Sequence, residues 1–194
     1  MIPIVSKTEF HYCWPIDWLG LHREYLNVGE MEVIASILRG VEAKSMMEIG
    51  CRDGRTAKVL LHNVAALNCY VGIDVRHDYV PTLKHQRAEM VPVPGHLAVS
   101  DPRFDLIIRE NGSLDLTFED IGPVDAAFID GDHSKNAVLY DSRLAKSVVR
   151  PGGVIIWHDY CNAGVEVKQT LDHLSEEGWP IKAIEGTWLA YLVQ

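Results

Sequence analysis

The chain has 194 residues, 47% of them hydrophobic and 23% charged, and carries a formal net charge of −9. That length suits one well-cored domain and is short for two, and the composition is that of a soluble globular protein. The acidity, with no block of like charges, excludes sequence-independent binding to DNA or RNA, which needs a basic face to displace counterions.

Residues 1–28 are rich in aromatics (Phe10, Tyr12, Trp14, Trp18, Tyr25) and have no clear period. They read as a cover over a pocket, as a contact of a homodimer, or as an arm packed on the domain. Residues 29–38 place Met31, Ile34, Ala35 and Leu38 on one helical face. Short apolar runs with strand character follow at 45–49, 69–75, 105–109, 125–130 and 153–158. Helical segments at 56–67, 81–89 and 134–149 separate most of them, and such alternation predicts a parallel sheet covered on both faces. After a helix at 164–177, the runs 181–185 and 187–193 are separated by Gly186 alone, too short for a crossover. The last strand is therefore expected to run antiparallel. Residues 91–101, with their prolines and Gly95, read as irregular connection.

The four cysteines (Cys13, Cys51, Cys69, Cys161) are scattered without a CxxC pair, which suits a reducing compartment. The N-terminus carries no basic region followed by an apolar run and a cleavage site. No apolar stretch approaches the roughly 18 residues needed to span a bilayer. The expectation is a cytoplasmic protein with no membrane partner.

In open parallel sheets, ligands sit outside the carboxyl ends of the strands. The first of these ends is Glu48-Ile49-Gly50-Cys51-Arg52-Asp53-Gly54, a glycine-containing turn between a strand and a helix. Gly50 has no Cβ, so backbone can approach a ligand there. Phosphate wants amide N–H groups and no nearby carboxylate, so Glu48 points instead to a ligand with a cationic or hydroxyl-rich end. The second run ends in Asp74, 24 residues after Gly50; a carboxylate there suits a two-point grip on ribose hydroxyls. The third ends near Gly112 and Ser113, the fourth at Asp130-Gly131-Asp132-His133-Ser134, and the fifth at Trp157-His158-Asp159-Tyr160. Plain readings stand beside these. Asp74 could cap a helix, Asp132 suits the N-cap of the helix from Ser134, and Trp188 and Tyr191 read as packing residues.

Five features together resemble the class I S-adenosylmethionine-dependent methyltransferases over essentially the whole chain: the Glu48–Gly54 turn, Asp74, Phe128–Ser134, Arg150-Pro151-Gly152-Gly153 and the closing hairpin. Within that class, Asp130-Gly131-Asp132-His133-Ser134 and the pair His158-Asp159 resemble the metal-dependent small-molecule O-methyltransferases of the catechol and natural-product sugar types. The resemblance implies a three-layer, Rossmann-like fold: a single domain over residues 1–194, with a mostly parallel seven-stranded sheet and an antiparallel last strand. It implies that Gly50 and Gly54 pass beneath the methionine part of the cofactor, with Glu48 at its ammonium end. It further implies Asp74 on the ribose, Gly112 and Ser113 at the adenine edge, and Asp130 beside the cofactor. A divalent ion, Mg²⁺ or Mn²⁺, would be held by Asp130, His158 and Asp159, with His133 as general base. The family usually has a carboxylate in place of His158. Imidazole there shifts preference towards Mn²⁺, Fe²⁺ or Zn²⁺, or signals that metal binding is weak or lost.

The implied chemistry is coherent. A sulfonium methyl is already activated, so the enzyme chiefly aligns an oxygen for in-line attack. A hydroxyl is a poor nucleophile at pH 7, and an imidazole with a pKa near 6.5 is well placed to take its proton. Two other readings remain at this stage: a metal-dependent phosphoesterase, and a module that binds S-adenosylmethionine or a nucleoside without catalysis. A nicotinamide dehydrogenase is disfavoured, because Gly50 and Gly54 lack the GxGxxG spacing.

Overall fold

A computed structural model describes residues 2–10 and 15–194; Tyr12, Cys13 and Trp14 of the aromatic-rich segment lie outside the described residues. The central strands are β2 (Ser45–Ile49), β3 (Cys69–Val75), β4 (Phe104–Arg109), β5 (Val124–Ile129) and β6 (Val149–Trp157). Two short strands, β7 (Lys182–Ile184) and β8 (Ala190–Val193), close the chain, and β1 (Ile4–Val5) lies at its start. The sheet order is β1-β7-β8-β6-β5-β2-β3-β4. All pairings are parallel except those of β8, which runs antiparallel to both β6 and β7.

The sheet thus has eight strands where seven are expected. The extra one, β1, pairs with β7 at the edge and is two residues long, too short to show a period. The closing hairpin also differs in detail. Residues 187–189 are irregular chain following the turn at 185–186 rather than the start of a strand, and the Thr187 hydroxyl donates to the Ile184 carbonyl.

Strand periodicity explains the three layers. Neighbouring residues point to opposite faces, so Met46 joins one core and Met47 the other. On one face, Met46, Tyr70, Phe128 and Ile156 pack against Met31, Ile34 and Leu38 of α1 (Glu30–Gly40) and Leu60 and Leu61 of α2 (Arg55–Asn63). A short helix, α3 (Phe118–Ile121), precedes β5. On the opposite face, Met47, Ile73, Ile129 and Trp157 pack against Val138 and Leu144 of α4 (Lys135–Val148) and Leu171 and Leu174 of α5 (Val167–Glu176). Each fully buried large side chain contributes about 1.5–3 kcal/mol. Both faces being covered is why the strands read as continuous apolar runs. Among the described residues, no helix is long and apolar enough to cross a membrane.

The expected helix at 81–89 is a 3-10 helix over Lys84–Glu89. After β2 the chain builds outward through β3 and β4, then returns to place β5 on the other side of β2. The carboxyl ends of β2 and β5 therefore flank a topological switch point, where ligands bind in such sheets.

Candidate functional site

Gly50 closes that switch point. Its φ is +86°, and a Cβ there would stand 2.3 Å from the Asp130 carbonyl oxygen. The Asp130 N–H donates to the Ile49 carbonyl at 2.9 Å. Glycine at position 50 is thus required by the crossing of two backbones as well as by a left-handed turn. Gly54, at φ +84°, sits just before α2, and a Cβ on it would press on the Gly95 backbone.

A cavity of about 400 Å³ opens above the turn. Gly50–Asp53, Asp74, Gly112–Leu114 and Asp130–His133 line it, as do His158, Asp159 and Trp188. Of the expected site residues, Gly50, Asp74, Gly112, Ser113, Asp130, His133, His158 and Asp159 all reach this one cavity; Glu48 and Gly54 do not. Glu48 is buried below the turn, where the Tyr70 hydroxyl donates to its Oε2 at 2.8 Å. Burial pushes its carboxyl up to about 8, despite the Tyr70 hydrogen bond. Glu48 is thus not among the residues that line the cavity, although its carboxyl lies near enough to feel Asp130 and Asp74.

The Asp74 carboxylate accepts from the Arg52 N–H at 2.5 Å and from the Val75 N–H at 2.7 Å. It keeps further lone pairs for a ligand, and burial raises its pKa more than those N–H groups lower it. Ser113 donates to the buried Asp141 at 2.5 Å, and Gly112 has φ +60°. Asp132 is not the N-cap of α4, which is Ser134; it accepts from the Ser134 N–H at 2.9 Å, and its other oxygen accepts from the Tyr79 hydroxyl and the Thr82 N–H.

Trp18, Glu24, Tyr25, Leu26 and Asn27 of the N-terminal segment form part of the cavity wall. Glu24 lies 3.3 Å from both Arg52 and Arg55, and the Arg52 guanidinium stacks over the Tyr25 ring. Asp53 pairs with the same two arginines at 3.3 and 2.9 Å. Both arginines of the wall are therefore neutralised. Trp188, expected as a packing residue, lines the cavity and stands beside the His158 ring.

The opposite wall is a chain of alternating charges. His158 Nε2 donates to Glu30 Oε2 at 3.0 Å, and Nδ1 lies 3.2 Å from Asp130 Oδ1 and 3.5 Å from Asp159 Oδ2. Both ring nitrogens thus face carboxylates, which only accept, so both carry protons. Burial pulls the His158 pKa down, but Asp130, Asp159 and Glu30 lift it well above the ordinary range. Asp130 is held below the carboxylate range: His158 and His133 outweigh the effect of its burial. Glu30, at the start of α1, is completely buried and also accepts from the Trp188 and Asn27 N–H groups, both at 2.6 Å. His133 Nε2 stands 3.4 Å from Asp130 Oδ1 without an aligned hydrogen bond, and Nδ1 stands 3.3 Å from Asp159 Oδ2. Its pKa is raised, because Asp130 and Asp159 outweigh burial.

This arrangement bears on the expected metal. His158 stands beside Asp130 and Asp159 but has no free lone pair, so it does not fit as their fellow ligand. Among the described residues, the donor atoms that come within 4.8 Å of one another are those of Asp130, His133 and Asp159. Two buried residues of this wall, Glu30 and Gln86, escaped the sequence reading. An acid in a first helical turn passes for a complement to the helix dipole, and a lone glutamine carries no pattern at all.

A methyltransferase-domain family model matches residues 47–160, and the chain belongs to that methyltransferase family. No curated protein matches it by sequence. Among solved structures, the O-methyltransferase NovP is similar at a TM-score of 0.64 and 13% identity, over 87% of this chain and 80% of that one. The O-methyltransferase TomG from Streptomyces achromogenes, solved with SAM, gives 0.59 and 18%, over 87% and 81%. An O-methyltransferase from Bacillus cereus, solved with SAH, gives 0.59 and 18%, over 91% and 86%. At these identities the likeness is one of fold.

Proposed function

We propose that the chain transfers the methyl group of S-adenosylmethionine to a hydroxyl of a small molecule, with His133 taking the hydroxyl proton. The observation that carries this reading is that one cavity joins the Gly50 turn and Asp74 to the Asp130–His133–Asp159 cluster. The cavity also suits a cationic cofactor by charge. Glu24 and Asp53 are matched by Arg52 and Arg55, which leaves Asp74, Asp130 and Asp159 among the lining residues to favour a positive charge. A pyrophosphate would meet anions there, which disfavours the dinucleotide and phosphoesterase readings. The solved structures with SAM or SAH bound support the same choice.

When bound, the cofactor supplies an activated methyl group. Asp74 would accept from its ribose hydroxyls, and the turn at Gly112 and Ser113 would border its base. Asp130 and Asp159 place negative charge on both sides of His133, which stabilises the imidazolium that forms as the proton arrives. Trp188 beside His158, and Trp18, Tyr25 and Leu26 of the N-terminal segment, would help to keep water from the reacting oxygen. A second reading rests on the closeness of Asp130, His133 and Asp159: with His133 turned, these three would hold a divalent ion of the Mg²⁺ or Mn²⁺ kind.

Calorimetry tests the cofactor, with heat expected for S-adenosylmethionine and none for NAD; the reverse result sinks the reading. Methyl transfer should survive EDTA if His133 acts alone, whereas loss of transfer with EDTA and its return with Mn²⁺ would select the metal reading.

A further inference from the structure

Gln86 lies on the 3-10 helix between β3 and β4, far in sequence from the β5 turn, yet its buried amide makes three contacts there. Its Oε1 accepts from the His133 backbone N–H at 3.1 Å. Its Nε2 donates to the Gly131 carbonyl at 3.0 Å and stands 3.1 Å from His133 Nδ1. The two backbone contacts fix which end of the amide is which: the oxygen must face an N–H and the nitrogen a carbonyl. The second hydrogen on Nε2 then points at His133 Nδ1, and an amide N–H can only donate.

We infer that Gln86 is a positioning residue that holds neutral His133 with its lone pair on Nδ1 and its proton on Nε2. Asp159 Oδ2, 3.3 Å from the same Nδ1, cannot hydrogen-bond a lone pair, so in the neutral ring the amide is the partner. Nε2 then carries its hydrogen towards Asp130. The consequence is specific: Nε2 is already protonated, and Nδ1 can take a proton only when the Gln86 amide swings off its lone pair. Because Gln86 lies on the same cavity-lining segment as Tyr79, Glu89 and Met90, the side of the cavity beyond Asp74 sets the state of the residue opposite.

This rests on the proposed role of His133, but its test needs no turnover. Nitrogen-15 spectra of histidine-labelled protein distinguish the two nitrogens, since a lone-pair nitrogen resonates far downfield of a protonated one. The His133 signals are assigned by their loss in His133→Gln, at a pH high enough to neutralise the ring. The expected wild-type pattern is lone pair on Nδ1. Gln86→Glu keeps the acceptor for the His133 N–H but replaces the donor with a carboxylate, so the pattern should reverse, by about tenfold or more in population. Gln86→Leu, which leaves the charge of the cavity unchanged, should lose the preference. A proton on Nδ1 in the wild type, or an unchanged pattern in Gln86→Glu, overturns the role of Gln86. A correct pattern in a protein that does not bind S-adenosylmethionine leaves Gln86 standing and sinks the cofactor reading.

Discussion

The two walls of the cavity are organised on opposite principles. The wall at β2 is built from backbone: Gly50 and Gly54 sit at positive φ, and Arg52 joins them at +48°. The wall at β5 and β6 is built from side chains, Glu30, His158, Asp130, His133 and Asp159 in one line of contacts. The first wall shapes a space, and the second holds protons. Substitutions on the two should therefore fail differently, one in folding and the other in turnover.

The largest effect is expected from His133→Gln, which should cut methyl transfer by about 10²- to 10⁴-fold while the melting curve stays close to the wild type. The pH profile carries the same information. His133 must be neutral to accept a proton, and its pKa is raised by Asp130 and Asp159 against the effect of burial. The wild-type rate should therefore climb with pH through a midpoint above the ordinary imidazole value. Asp130→Asn removes the leading anion, so whatever rate remains should climb at lower pH. A midpoint that does not move would show that Asp130 does not set the titration.

Gly50→Ala probes the other wall. The new methyl would meet the Asp130 carbonyl at 2.3 Å in a left-handed conformation. Strain and overpacking together should destabilise by about 3 kcal/mol or more, seen as a lower urea midpoint. If stability holds and only cofactor affinity falls, the glycine serves the ligand rather than the backbone crossing.

Glu48→Gln sharpens the comparison by way of pH. The folded-state pKa is raised to about 8, chiefly by burial, against 4.5 for the ordinary group. The folded protein therefore holds one more proton than the unfolded chain between those values. That contribution is complete below about pH 4.5 and is lost as pH rises towards 8, at about 1 kcal/mol per pH unit. The amide introduced by Glu48→Gln accepts the Tyr70 hydroxyl equally well and has no proton to lose, so the variant should gain on the wild type as pH rises. Parallel stability curves from pH 5 to 8 would mean that Glu48 is ionised in the fold.

The same contrast explains what the sequence could disclose. Periodicity and strand ends were legible because β2, β3 and β5 and the second half of β6 are largely buried and stop at the cavity, so the order of runs disclosed the sheet and the list of polar ends. Strand alternation puts Glu48 on the face of Met46, but it does not say whether an acid on that face lines the cavity or is buried beneath it, as Glu48 is. The β5–β6 wall was only half legible. Asp130, His133, His158 and Asp159 stand at strand ends, whereas Glu30 and Gln86 arrive from a helix start and a 3-10 turn over 40 or more residues of separation. Their roles exist only once the chain is folded. His158 carries a two-sided signal: its residue type suits a metal, and Glu30 behind it suits a protonated ring.

The smallest effect should come from Glu24→Gln, where the walls meet the N-terminal cover. Glu24 is well exposed and its two arginines retain Asp53, so the loss of stability should stay below about 1 kcal/mol. Cofactor affinity is the more sensitive measure. Removing one anion leaves Arg52 and Arg55 under-neutralised beside the cavity, and a cationic ligand should bind a few-fold more weakly at low salt. Added salt should erase most of that difference, because the ion pairs at this edge are partly in solvent. A deficit that persists at high salt would instead mean that Glu24 touches the ligand directly. The N-terminal segment would then belong to the binding wall in its own right rather than covering it.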